Sequence, residues 1–140
     1  MPRVQEIVVD CPDPARLAAF WAAVLEARWA ALDDAWAVVD ADPLLLAFQR
    51  VPEPKQSPKN RLHLDVQVDD VRAAVARAEE LGARRTGAEE LDADGNGYLV
   101  LRDPEGNEFC FVADRAGAWA EANRRALDAA AAENGPPAGR

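Results

Sequence analysis

The chain holds a single histidine, His63, inside a stretch whose alternation is regular. From 61 to 68 the spacing puts Arg61, His63, Asp65 and Gln67 on one face of a strand and Leu62, Leu64, Val66 and Val68 on the other. An imidazole two residues from a carboxylate can serve as a general acid or base, or as a metal ligand. Glu108 and Cys110 repeat that two-residue spacing, so they share a face, one as a hard oxygen donor and the other as a soft sulfur donor. Near the start, Glu6, Val8 and Asp10 fall on one face and Ile7, Val9 and Cys11 on the other. Parity therefore sets Cys11 and Cys110 on opposite faces, and neither belongs to a CxxC motif, so no disulfide is expected. Packing supplies a second reading of each residue. His63 can be a hydrogen-bonded sheet residue, Cys110 a small buried apolar one, and the polar stripe a solvated sheet face.

These residues sit in a chain that repeats itself. Glu6–Asp13 (EIVVDCPD) matches His63–Asp70 (HLDVQVDD) 57 positions later, with Glu6 under His63 and Asp13 under Asp70. After one residue of slippage Leu25–Arg28 lies over Leu81–Arg84, and Phe48 is set over Phe109. Asp13-Pro14 supplies an N-cap and a first-turn proline. Leu17, Phe20, Trp21, Val24 and Leu25 then make one apolar helical stripe. In the second copy Asp69 or Asp70 caps, Val71, Ala74, Val75 and Ala78 form the stripe, and Gly82 ends it. Strands are expected over 29–32, 35–40 and 44–51, and again over 84–91, 97–102 and 108–112. Asp103-Pro-Glu-Gly-Asn107 is a turn. Each unit reads β-α-β-β-β, and the Pro- and Lys-rich stretch 51–60 joins them. An Ala-rich helix is expected from Ala116 to about Glu133, with a frayed tail over 134–140.

The 140 residues carry a net charge of −9, which argues against a nucleic-acid partner, because that binding neutralises phosphates with Lys and Arg. No apolar run reaches the length of a membrane span and no leader pattern opens the chain, so a cytoplasmic location is expected.

Four ordered segments then look like the glyoxalase-like branch of the vicinal oxygen chelate superfamily: 9–21 (VDCPDPARLAAFW), 48–55 (FQRVPEPK), 59–66 (KNRLHLDV) and 103–110 (DPEGNEFC). The resemblance covers roughly residues 3 to 113. It implies an α+β fold in which two βαβββ modules form a cupped eight-stranded mixed sheet, the glyoxalase/bleomycin resistance fold, followed by a C-terminal helix. Module one is residues 1–52 and module two 60–113, together a domain over 1–113, with a helix and flexible tail over 114–140. A hollow inside the cup is the expected ligand site, lined by Glu6, Asp10, Gln49, Arg61, His63, Asp65, Glu108 and Cys110.

In metal-dependent members each module gives one ligand from its first strand and one from its last. By that resemblance His63 and Glu6 are the expected ligands of one divalent metal ion. Gln49, or Ala47 of the same parity, takes the third place, and Cys110 stands where a glutamate is usual, with Glu108 as its substitute. A set of Glu6, Gln49, His63 and Cys110 does not suit a hard octahedral ion, while a tetrahedral zinc site stays open. The expected function is binding of a small organic molecule, with Trp36 and Tyr98 as aromatic walls and Arg61 meeting an anionic group. The alternatives are a metal-dependent lyase, isomerase or dioxygenase in the same pocket, and an interaction module without a ligand. A homodimer is implied by the resemblance alone.

Overall fold

The structure is a computed structural model and describes residues 4–134. The expected tail over 134–140 falls, apart from the backbone of Asn134, outside the described residues. The first unit runs β1 (Glu6–Cys11), α1 (Pro14–Leu25), β2 (Trp29–Asp33), β3 (Trp36–Ala41) and β4 (Leu44–Arg50). The second runs β5 (Leu64–Gln67), α2 (Val71–Glu80), β6 (Arg84–Leu91), β7 (Gly97–Arg102) and β8 (Glu108–Ala113), and α3 (Ala118–Asn134) follows. The eight strands divide into two four-stranded mixed sheets of the same topology, β1-β4-β3-β2 and β5-β8-β7-β6. In each, the first strand pairs in parallel with the last, and the other neighbours are antiparallel. None of the described helices is long and apolar enough to cross a membrane.

Local chemistry sets the element ends. The Asp13 carboxylate accepts from the Arg16 amide at 3.2 Å, and that of Asp70 from the Ala73 amide at 3.1 Å. Each such cap is worth about 1 kcal/mol. Of the two candidate caps of α2, Asp70 is the one used. The β6–β7 hairpin closes at Gly97, the first residue of β7, whose φ is +128°. A Cβ there would sit 1.9 Å from the Glu90 carbonyl oxygen, so only glycine closes this turn. One expected strand is shorter than its alternation suggested. Pairing with β8 begins at Leu64, which leaves Arg61, Leu62 and His63 ahead of β5.

The core joins the two units. The apolar stripe of α1 buries Leu17, Phe20 and Trp21, and the Trp21 indole packs on the Phe109 ring of β8 at 4.8 Å in edge contact. Burying a side chain of this size contributes about 3 kcal/mol. The indole Nε1 donates to the Asp103 carboxylate at 3.2 Å, so its one polar atom is satisfied inside the core. Asp103 also accepts from the Glu105 and Asn107 amides, both at 2.9 Å, and thereby closes the predicted turn between β7 and β8. By contrast α3 is exposed along its described side chains apart from the half-buried Glu121, Trp119 at 71% and Leu127 at 70% included.

Candidate functional site

The parallel β5–β8 ladder sets Asp65 level with Cys110 on one face of the second sheet. His63 enters the same face from the residue just before β5, its Nε2 3.4 Å from an Asp65 carboxylate oxygen. One donor atom each from His63, Asp65 and Cys110 lie within 4.8 Å of one another, a nitrogen, an oxygen and a sulfur. Cys110 is buried at the floor, while His63 and Asp65 stand exposed at the rim. Burial pushes the Cys110 thiol up to about 11, and the Asp65 carboxylate adds to the rise by its charge and by accepting a hydrogen bond from the protonated thiol. Lys59 opposes that rise. Glu108 completes the patch. Lys59 Nζ holds it at 3.1 Å and Arg102 Nη2 approaches it at 3.6 Å. An open hollow of about 260 Å³ lies over these groups, lined by Lys59, His63, Thr86, Val100, Glu108 and Cys110.

The other expected site residues stand elsewhere. Glu6, Asp10 and Gln49 belong to the first sheet, where Asp10 and Gln49 are cross-strand partners. Glu6 is not one of the donors gathered around His63. Arg61 and Asp10 line a second hollow of about 240 Å³ between the units, which His63 and Glu108 also border. His63 is therefore common to both openings.

The ladders correct one detail of the repeat. With Glu6 under His63, Val9 pairs with Phe48 as Val66 pairs with Phe111, so Phe48 is level with Phe111 and not with Phe109. The counterpart of Cys110 is then Ala47, fully buried, and Gln49 corresponds to Val112.

Two polar residues of the lining, Lys59 and Thr86, escaped the sequence reading. Lys59 lies in the linker, where no periodicity assigns a face. Thr86 lies beside an irregularity in β6 between Arg85 and Glu89 that interrupts the alternation.

The donor chemistry discriminates among metals. One imidazole, one carboxylate and one thiolate suit a tetrahedral zinc site with an open fourth position. They do not suit a hard octahedral ion, since the expected first-unit carboxylate is not among them. Cys110 must lose its proton to ligate, so metal and proton compete for the sulfur. Cys11 offers no such setting. It is buried, its pKa is also raised to about 11 chiefly by burial, and its thiol donates to the Gln49 carbonyl at 3.7 Å.

Comparison with known proteins adds the lineage. The family model described as a glyoxalase-like domain matches residues 6–112. No curated protein sequence matches the chain. Among solved structures, a glyoxalase/bleomycin resistance protein/dioxygenase family enzyme from Burkholderia phytofirmans is 18% identical with a TM-score of 0.64, covering 80% of this chain and 98% of that one. A glyoxalase-related enzyme from Fulvimarina pelagi is 14% identical with a TM-score of 0.65, covering 81% and 89%. A bleomycin-binding protein complexed with bleomycin is 19% identical with a TM-score of 0.55, covering 82% and 100%. At these identities the likeness is one of fold. The duplicated βαβββ topology and the match over 6–112 agree: this chain belongs to the glyoxalase-like domain family, within the vicinal oxygen chelate superfamily.

Proposed function

We propose that the protein binds a small organic molecule over the polar face of its second sheet, with His63, Asp65, Glu108 and Cys110 as the recognising groups. The observation that carries this reading is the convergence of three chemically different donors within 4.8 Å, two of which, His63 and Cys110, line an open hollow. Convergent polar groups in a concavity are the ordinary signature of a ligand site. The bleomycin-binding relative adds support, since it is named for a bound small molecule. Arg61 and Asp10, from the neighbouring opening, extend the polar surface available to that ligand.

A second reading rests on the same donors. His63, Asp65 and Cys110 would hold one divalent ion of the zinc type, and Glu6 would stay outside its coordination. Such an ion, when bound, polarises a ligand oxygen and lowers the pKa of bound water. The chain's own residues then orient the ligand: Lys59 and Glu108 fix charge at the rim and Thr86 borders the wall. This is the metal-dependent lyase, isomerase or dioxygenase reading of the pocket. A homodimer belongs to the proposal as well, supported by the exposed Trp29 and Leu32 on the edge strand β2.

The test is elemental analysis of tag-free protein together with thermal unfolding against zinc and a panel of small aromatic and anionic compounds. Zinc at one equivalent, lost in the His63→Ala variant, supports the metal reading. A compound-dependent stabilisation without metal supports plain binding. Neither response sinks both.

A further inference from the structure

A third opening of about 630 Å³ lies between α1, the end of α2 and the β7–β8 turn. Three arginines border it, Arg16 from α1, Arg84 from β6 and Arg102 from β7, with Phe20 and Pro104 as apolar wall. Arg84 and Arg102 are direct cross-strand partners. Like charges so placed repel and destabilise the ladder.

The acids nearby compensate only in part. Glu105 is held by Arg16 at 3.0 Å. Both Asp103 oxygens are occupied, by the Trp21 indole, the Asn107 side chain and two backbone amides. Glu108 is shared with Lys59, and it reaches Arg102 only at 3.6 Å. Arg102 Nε is buried without a hydrogen-bond partner. Among the described residues no carboxylate lies within ion-pair distance of Arg84. In a chain of net charge −9, a pair of opposed, under-compensated guanidinium groups at a cavity is a cost that an anion would remove.

We propose that this opening binds a phosphate group, free or as the monoester of a small organic molecule. Guanidinium forks on three separate elements suit a tetrahedral oxyanion with several acceptor oxygens, where a planar carboxylate would engage one fork. The volume lies in the range of small-ligand sites and exceeds what inorganic phosphate alone fills. His63 does not line this opening, and the two sites meet only where Arg102 approaches Glu108.

Calorimetric titration and thermal unfolding of the full chain with inorganic phosphate, against chloride at matched ionic strength and pH, test it. At ten times its dissociation constant phosphate raises the melting temperature by about 5 °C. The Arg84→Gln variant, altered at an exposed position, binds phosphate about tenfold more weakly. Without phosphate it melts no lower than the parent chain, because the repulsion is gone. His63→Ala binds phosphate as the parent does. A glycerol phosphate arm separates the sources. Tighter binding than inorganic phosphate marks an ester site, and equal binding marks a site for the phosphate alone. Absence of a phosphate-specific shift, or an undiminished affinity in Arg84→Gln, overturns the proposal.

Discussion

The two units share one topology and differ in what they place on it. At the four positions where the second unit carries His63, Asp65, Glu108 and Cys110, the ladder register puts Glu6, Val8, Leu45 and Ala47 in the first. Three of the four counterparts are apolar, with Val8 at 42% and Leu45 at 36% exposure. The free outer strands differ likewise. β2 carries Trp29 and Leu32, while β6 carries Arg84, Arg85, Glu89 and Glu90. The first unit contributes helix α1 and its aromatic ring to the joint core, and the second contributes the donors. Duplication has thus supplied two equal scaffolds, and the polar chemistry is concentrated on one.

The most disruptive challenge to that division is Trp21→Ala, which removes the larger aromatic contact with Phe109 and leaves Asp103 without its indole donor. A loss of about 3–5 kcal/mol is expected in urea denaturation, in a single transition. Two separate transitions would show that the units do not share a core.

Metal titration sharpens the asymmetry next. His63→Ala weakens zinc binding about a hundredfold, with stability changed by less than about 0.5 kcal/mol. Glu6→Gln leaves zinc affinity where it was. Equal losses in the two variants would restore a site shared between units.

The thiols give a finer test. Both cysteines have a native pKa near 11, above the ordinary 9.0. A raised pKa means the native state holds the proton more tightly. Their contribution is therefore intact below pH 9.0 and declines as pH rises from 9.0 to about 11. Asp65→Asn lowers the Cys110 pKa and raises its alkylation rate several-fold at mildly alkaline pH. Cys11, in the first unit, keeps its rate. A change at Cys11 would contradict the assignment of the effect to local charge.

The smallest effect lies outside both units. Hydrogen bonds from Arg124 and Arg125 lower the Glu121 pKa below 4.5. Support for α3 is therefore present above pH 4.5 and lost as pH falls through the lowered value. Circular dichroism should record a slight loss of helix in acid while the aromatic near-ultraviolet signal of the core persists.

Much of this was legible from residue order. The stripe Leu17, Phe20, Trp21 needs only helical periodicity, and Asp13 announces its cap by type and position, while two adjacent aspartates, Asp69 and Asp70, left the α2 cap open. The shared face of Asp65 and Cys110 followed from parity on each strand. What parity does not contain is register. It left Gln49 and Ala47 equivalent, and only the β1–β4 hydrogen bonds decide that Ala47 is the counterpart of Cys110. For the same reason Arg84 and Arg102 gave no sign of facing each other across β6 and β7. The separation of Glu6 from the donor group depends on how two sheets are mutually set, a tertiary fact that repeat alignment treats as symmetric.

The indole–carboxylate bond between Trp21 and Asp103 joins groups 82 positions apart in the chain. Contacts of such separation form only after a large loss of loop entropy, and they slow folding. A chain emerging from the ribosome has α1 early, but the partner for its aromatic ring arrives only with the last hairpin. The first sheet already packs on α1 by then, but the Trp21 indole lacks its ring and carboxylate partners, so the interval before β7 and β8 are synthesised leaves this part of the core open to aggregation.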